Sequence, residues 1–157
     1  AKYLRAQWLS HFSDNEHQQS LFDIEAAIEL LRGKGVEKIH IGGASIGANL
    51  ALQYAAQHPE VESVMLLSPG LDYHGIHGDI WIDNLKPAQA VLLAASDNDV
   101  YSFTSVKALY DRSSNLPKRE VKLLTDAGHG TNMFEKYPSF IDEIVEWLKK
   151  VDSESAG

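Results

Sequence analysis

Three short segments of the chain carry side chains suited to nucleophilic catalysis. The segment Gly43–Gly47 reads Gly-Ala-Ser-Ile-Gly, with Ser45 at its centre. Two aspartates, Asp97 and Asp99, follow an apolar run, and His129 stands between two glycines. A hydroxyl, a carboxylate and an imidazole are the groups that together turn a serine into a nucleophile, so these residues are the candidates for chemistry.

The G-x-S-x-G pattern around Ser45 has a mechanical reason. In such a pattern the serine lies on a tight, strained turn from strand to helix, and small neighbours let the adjoining backbones approach. Because the helix begins at once, the N–H of Ile46 points towards developing negative charge and is the expected first oxyanion donor. The alternative is a glycine-rich turn whose serine only caps a helix.

The histidine and the two aspartates have competing interpretations. Small neighbours, Gly128 and Gly130, leave the His129 imidazole free to reach another loop, and an ordinary pKa of about 6.5 suits a general base. A surface role is the alternative, because the chain has seven histidines. Either Asp97 or Asp99 could orient the imidazole. The alternative, a turn rich in Asp and Asn residues, applies to at least one of the two.

The elements around these candidates alternate between apolar strands and helices. Strands are predicted at 36–41, 61–68, 90–95 and 120–124. Helices are predicted from residue 21 to an end at Gly33 or Gly35, and at 46–57, 102–112 and 138–150. This alternation predicts a mainly parallel sheet covered by helices on both faces, a three-layer α/β/α architecture. Functional residues of such folds lie on loops at the carboxyl ends of strands. Ser45, the aspartate pair and His129 each follow a different predicted strand.

Four stretches of the sequence match the pattern of one family. They are Ile41-Gly42-Gly43-Ala44-Ser45-Ile46-Gly47-Ala48-Asn49, Leu66-Leu67-Ser68-Pro69-Gly70-Leu71-Asp72-Tyr73, Ala95-Ser96-Asp97-Asn98-Asp99-Val100-Tyr101-Ser102 and Gly128-His129-Gly130. Over roughly residues 20 to 150 the chain resembles the α/β-hydrolase superfamily, especially its small esterases and dienelactone-hydrolase-like members. The order Ser, Asp, His is that of this fold. The resemblance implies a triad of Ser45, Asp99 and His129, because Asp99 rather than Asp97 occupies the acidic position of the family's A-S-x-x-D-x-Y-S pattern.

The chain departs from the family at its beginning. Members of the family normally have several further strands and a loop that supplies the second oxyanion donor, and no such segment precedes Gly42. We therefore expect a reduced α/β-hydrolase fold that lacks the N-terminal strands. The apolar strand at 36–41 is then an unpaired edge, which favours association. Residues 1–19 could cover this edge, two chains could pair across it as a homodimer, or the chain could be a fragment or a natural truncation.

The loop after the second predicted strand holds further candidates. Tyr73 and Trp81 offer apolar surface and are predicted to line the substrate pocket, as the corresponding loop does in the family. The spacing of His74 and His77, with Asp79 close by, could bind a metal. The segment nevertheless offers no third firm ligand and no helix to hold the ligands in place. We therefore predict a loop over the active site, with neither a metal nor an organic cofactor.

Composition restricts the class of protein. The 157 residues, 44% apolar and 23% charged, predict one domain over 1–157, with 1–19 hard to classify and 151–157 a flexible tail. The first segment could form a short helix with one apolar face of Trp8, Leu9 and Phe12. A net charge of −8 argues against binding to nucleic acids or anionic membranes. Without cysteine or a long apolar run, a cytoplasmic protein is expected.

The expected function is hydrolysis of small carboxylic esters through an acyl-enzyme. Ser45 would be the nucleophile, His129 the base and then the acid, and Asp99 the orienting carboxylate. A catalytically weak or inactive module for binding or dimerisation is the alternative that the missing oxyanion segment favours. A flavodoxin-like ligand-binding domain would also have parallel strands, but it would leave the order of the three residues a coincidence.

Overall fold

The structure, a computed structural model, describes residues 13–154 of the 157-residue chain. Its helices are α1 (Asp14–Gln19), α2 (Leu21–Gly33), α3 (Ile46–Gln57), α4 (Gly78–Ile82), α5 (Val100–Arg112), α6 (Asn132–Lys136) and α7 (Ser139–Glu154). Its strands are β1 (Ile39–Ala44), β2 (Val61–Leu67), β3 (Asp72–Tyr73), β4 (Ile76–His77), β5 (Ala90–Ser96) and β6 (Arg119–Leu124). The helix face predicted for Trp8, Leu9 and Phe12 lies outside the described residues. None of the helices described is long and apolar enough to cross a membrane.

Four of the strands form one parallel sheet in the order β1–β2–β5–β6. The remaining two, β3 and β4, form a short antiparallel hairpin. Every residue of the central strand β5 is buried, because helices cover both faces of the sheet. Its side chains alternate between the two faces, with Val91, Leu93 and Ala95 on one and Ala90, Leu92 and Ala94 on the other. The predicted mainly parallel α/β sheet is thus confirmed.

Each face of the sheet has its own helical layer. On one face, α2, α3 and α5 enclose a core that includes Leu52, Val64 and Leu109. On the other face, α6 and α7 contribute Met133 and Phe140 to a second core. The predicted three-layer α/β/α architecture is therefore confirmed.

The first strand lies further along the chain than its predicted span of 36–41. Its pairing with β2 continues to Ala44, so Gly42 and Gly43 lie inside the strand rather than ending it. A Cβ at Gly43 would lie 2.0 Å from the carbonyl oxygen of Gly47. These glycines therefore permit close packing of α3 on β1.

The last helix is longer than predicted. It runs to Glu154, and Val151 is buried in the core beneath it. The flexible tail predicted from residue 151 is therefore wrong for residues 151–154, because the burial of an apolar side chain extends the helix.

The two edges of the sheet differ in charge. On β6, Glu120 pairs with Lys150 and Lys122 with Glu143 of α7, and charged residues protect an edge from further pairing. Strand β1 has no Asp, Glu, Lys or Arg, and an apolar groove of about 450 Å³ lies between it and α2. The predicted edge near residues 36–41 is thus present, slightly displaced, and a homodimer across it stays a prediction.

A fully buried amide attaches the β3–β4 hairpin to α3. The Asn49 side chain donates to the carbonyl oxygens of Gly70 (2.9 Å) and Ile76 (2.7 Å), and it accepts from the N–H of Gly70 (3.0 Å). Three backbone groups of an irregular loop are thereby satisfied away from water. The position of the hairpin therefore depends on one residue of the helix that follows Ser45.

We predict that Asn49→Ala lowers the free energy of unfolding by about 3 kcal/mol, because it leaves buried backbone groups without partners. Urea denaturation followed by circular dichroism measures the change. Asn84→Ala is the matched control, since Asn84 bonds one carbonyl oxygen, that of Ile80, at an exposed position. A loss at Asn49 no larger than the loss at Asn84 would contradict the prediction.

Candidate active site

Parallel pairing brings the predicted site residues to one edge of the sheet. Ser45 directly follows β1, Asp99 follows β5 and His129 follows β6. The strands point the same way, so their carboxyl ends and these loops share one rim. A further hydroxyl, that of Ser68, follows β2 and completes the row.

Ser45 occupies the strained turn that its motif predicts. Its φ of 57° and ψ of −128° lie in a region that non-glycine residues rarely adopt. The N–H of Ser45 donates to the carbonyl oxygen of Leu67 in the neighbouring strand at 2.8 Å. Helix α3 begins at Ile46, whose N–H has no partner within the helix because it belongs to the first turn. The serine therefore lies beside a free backbone donor at a helix N-terminus.

Asp99, and not Asp97, contacts the histidine. Asp99 Oδ2 accepts from His129 Nδ1 at 2.6 Å. Asp97 instead accepts the backbone N–H of Asp126 at 2.8 Å and stabilises the loop. Because Nδ1 is occupied by the carboxylate, Nε2 is the imidazole nitrogen left for another partner.

The surroundings of Asp99 keep its carboxylate ionised. Burial acts to raise the pKa of Asp99, but hydrogen bonds from His129, Ser102 and Ser68 outweigh it and hold the pKa below its ordinary value. Only 14% of the Asp99 side chain is exposed, against 44% of the His129 side chain. A buried anion thus stands behind an accessible imidazole.

Short hydrogen bonds fix the loop that carries His129. Gly128 donates its N–H to Asn98 Oδ1 at 2.9 Å, and Gly130 donates to Ser68 Oγ at 2.8 Å. Both glycines have positive φ, which their lack of a Cβ permits. A Cβ added to Gly130 would lie 3.3 Å from the Cβ of Ala44, so this loop packs directly against the end of β1.

Ser68 and Ser102 are site residues that the sequence reasoning did not assign. Ser68 is fully buried and has a positive φ of 50°, and its hydroxyl contacts both the His129 loop and Asp99. Ser102 lies on α5 and contacts Asp99 and the hairpin. Both serines fall within stretches that match the family pattern. Their position near strand ends is the sequence feature that could have indicated a role at the site.

Tyr73 faces the serine from the hairpin. Its phenol oxygen lies 3.2 Å from Ser102 Oγ. Burial raises the pKa of Tyr73 and the Asp99 charge adds to the rise, while hydrogen bonds to Ser102 and, more weakly, Ser45 act in the opposite direction. The hydrogen bonds found among residues 13–154 do not include one between the Ser45 hydroxyl and His129. Such bonds are often long in unliganded enzymes and close when a substrate binds.

The other predicted residues of this segment make different contacts. Trp81 is half-buried on α4 and packs against the core beneath the helices, and its contact with a substrate stays a prediction. His74 Nδ1 bonds Asp14 at 2.7 Å, and its ring lies 4.2 Å from that of His17. Across residues 13–154, no group of three His, Asp or Glu side chains converges in a way that could hold a metal ion.

A serine on a strained strand-to-helix turn, with an Asp–His pair at neighbouring strand ends, is the arrangement that characterises α/β-hydrolases. Residues 12–107, more than half of the chain, match the sequence profile of the alpha/beta hydrolase fold. The chain belongs to this family, as its motifs indicate.

Two solved structures illustrate the similarity. An esterase of Pyrococcus furiosus matches with a TM-score of 0.73 at 16% identity, over 84% of this chain and 62% of its own. A carboxyl esterase of Bacillus coagulans matches with a TM-score of 0.73 at 11% identity, over 86% of this chain and 72% of its own. At such identities the likeness shows the fold alone. The chain spans less than two thirds of the Pyrococcus protein, and no curated protein sequence matches it.

The strain at Ser45 leads to a prediction about stability. We expect Ser45→Gly to be more stable than Ser45→Ala by about 1 kcal/mol, because glycine relieves a backbone cost of about 1–3 kcal/mol and loses only part of this gain to its flexibility when unfolded. Both variants lack the hydroxyl, so the comparison isolates the backbone. Thermal unfolding followed by circular dichroism measures it.

The control for this comparison is Ser20, a helix-flanking serine with an ordinary φ of −62° and no side-chain capping bond. There we expect the opposite order, with Ser20→Ala more stable than Ser20→Gly. The same order at both positions would show that the conformation of Ser45 carries no strain.

Proposed function

We propose that the protein is a serine hydrolase that cleaves small carboxylic esters through an acyl-enzyme. Ser45 is the nucleophile, His129 is the general base and then the general acid, and Asp99 holds and stabilises the imidazole. The N–H of Ile46 binds the oxyanion. The observation that carries the proposal is the 2.6 Å Asp99–His129 hydrogen bond at the same sheet edge as the strained Ser45.

The reaction proceeds in two balanced steps. His129 Nε2 takes the hydroxyl proton while Ser45 Oγ bonds to the carbonyl carbon, and the resulting imidazolium protonates the departing alcohol as the ester C–O bond breaks. Water then attacks the acyl-enzyme, again losing a proton to His129, which returns it to Ser45 Oγ as the acid leaves. Asp99 remains an anion throughout, which agrees with its lowered pKa.

The choice of esters is supported by the similar structures. Both proteins described above are esterases, and they share the fold of this chain. Ester hydrolysis needs no group beyond a nucleophile, a base and oxyanion donors, which are the roles proposed for Ser45, His129 and the N–H of Ile46. Tyr73 lies beside the nucleophile and fits a role in substrate binding. The core position of Trp81 gives no support to its predicted contact with substrate.

We predict that Ser45→Ala reduces hydrolysis of p-nitrophenyl acetate at least 1,000-fold, because removing the nucleophile of such a triad leaves only the contributions of the oxyanion site and of binding. The wild-type protein should also react with a fluorophosphonate probe, and mass spectrometry should find the probe on Ser45. Ser20→Ala is the control. This serine flanks the start of α2 and has no proposed role in the reaction, so the variant should retain full activity.

The same assay separates the enzyme from a binding or dimerising module. The charge-free edge at β1 is the feature that favours such a module. Equal rates for the wild type and Ser45→Ala, together with an unlabelled Ser45, would reject the hydrolase. A dimer detected by light scattering would then support the alternative.

A second prediction distinguishes the two aspartates. Asp99→Asn should lower kcat by about 10²–10⁴-fold, because an amide cannot hold the imidazole in the required tautomer or stabilise its positive charge. Asp97→Asn should stay within about threefold of the wild type, since an amide oxygen can still accept the Asp126 N–H. Steady-state kinetics at pH 8 measure both. Comparable losses in the two variants would contradict the assignment of Asp99.

A further inference from the structure

The β3–β4 hairpin holds one phenol near Ser45. Tyr73 Oη lies 3.2 Å from Ser102 Oγ, and a weaker side-chain interaction links the same phenol to Ser45. Neither partner is a charged group that would lock the phenol in one orientation. The hydroxyl hydrogen can therefore turn towards a ligand at Ser45 without movement of the ring.

The backbone fixes the position of this phenol before any substrate arrives. A Cβ at Gly70 would lie 2.8 Å from ring atoms of both Tyr73 and Tyr101, so the two rings pack closely on the hairpin. Their centroids are 5.5 Å apart in an edge-to-face arrangement. The buried Asn49 side chain anchors the same hairpin through three backbone groups. A donor placed in this way needs no reorganisation during reaction.

The chemistry of the site calls for a second donor. A tetrahedral intermediate on Ser45 carries a negatively charged oxygen, and the N–H of Ile46 supplies one hydrogen bond to it. This oxygen is bonded to the same carbon as Ser45 Oγ, so a donor beside Ser45 in the free protein is near the place where the oxyanion forms.

We propose that the phenol of Tyr73 is the second oxyanion donor of the active site, acting with the N–H of Ile46 on the tetrahedral intermediate at Ser45. This role rests on the proposed hydrolase function and adds a catalytic residue to it. The phenol keeps its proton throughout and only donates a hydrogen bond. Ser102, whose hydroxyl lies 3.3 Å from the carbonyl oxygen of Ser68, holds the phenol between turnovers.

The protonation of Tyr73 agrees with this role. Burial and the nearby Asp99 anion raise the pKa of the phenol above its ordinary value, so Tyr73 is a neutral donor at neutral pH. A hydrogen bond from a neutral donor strengthens as the carbonyl oxygen becomes an anion. The interaction therefore stabilises the transition state more than the bound ester, which places its effect in kcat.

The test compares two tyrosines of the same hairpin region. Tyr73→Phe removes one oxygen and keeps the ring, and we expect it to lower kcat for p-nitrophenyl acetate about 100-fold while KM changes less than about threefold. Tyr101→Phe removes the hydroxyl that bonds the backbone of Asp72, at a residue outside the proposed machinery, and should keep kcat within about threefold. Circular dichroism establishes that both variants are folded. As a second measurement, the inhibition constant of phenylboronic acid should rise in Tyr73→Phe, in parallel with the loss of kcat, and should stay unchanged in Tyr101→Phe.

The outcomes separate this role from the proposed function. A Tyr73→Phe kcat within twofold of the wild type, while Ser45→Ala is inactive, overturns the role of Tyr73 alone. Equal losses in Tyr73→Phe and Tyr101→Phe also overturn it, because displacement of the hairpin would then be the cause. If the wild type and Ser45→Ala hydrolyse the ester equally, both the hydrolase and the donor role are rejected.

Discussion

The hydrogen bond between Asp99 and His129 is the interaction on which the geometry of the candidate site depends. It forms because β5 and β6 are parallel neighbours, so the loops after them leave the sheet side by side. The bond joins a carboxylate that is largely shielded from water to an imidazole that is nearly half exposed. Shielding strengthens the bond, and the hydrogen bonds that Asp99 accepts hold the pKa of its carboxyl below the ordinary value, so the side chain stays an anion. The exposed side of His129 is thereby available for proton transfer while its other nitrogen stays fixed.

Buried side chains, rather than regular secondary structure, hold the loops around this pair. Ser96 Oγ accepts the N–H of Ala127 at 2.7 Å and donates to Asn98 Oδ1 at 2.8 Å, which connects the end of β5 to the His129 loop. Ser68 and Asn49 make equivalent connections from β2 and α3. The polar groups of these side chains have hydrogen-bond partners, which offset the cost of burying them. These residues therefore make the loops at the rim more rigid. A small sheet can in this way hold several loops at defined positions.

The sequence predicted the architecture well because strongly apolar segments, above all β5, alternate with segments of helical periodicity such as α7. It predicted the position of β1 less well, since Gly42 and Gly43 resemble a strand end although they lie inside the strand. The residues alone could not separate Asp97 from Asp99. The choice depends on which carboxylate points across to β6, and only the family pattern favoured Asp99. The role of Trp81 could not be decided from the sequence either, because an aromatic residue near the site has the same sequence signature whether it faces a ligand or the core.

The same backbone hydrogen bond recurs at three strand ends along the rim. The residue just beyond each of three strands donates its N–H to the neighbouring strand: Ser45 to Leu67, Ser68 to Ala94 and Asp97 to Leu124. Each bond extends the parallel ladder one residue past the strand, and in the first two cases it holds a serine at positive φ. Strain of about 1–3 kcal/mol per serine is therefore tolerated because the sheet, not the loop, determines the backbone there. The two strained serines differ in burial. Ser68 is fully enclosed and bonds the His129 loop, whereas Ser45, which follows the edge strand, is partly exposed. Among the described residues, the edge position of β1 thus leaves one of two similar turns open to solvent.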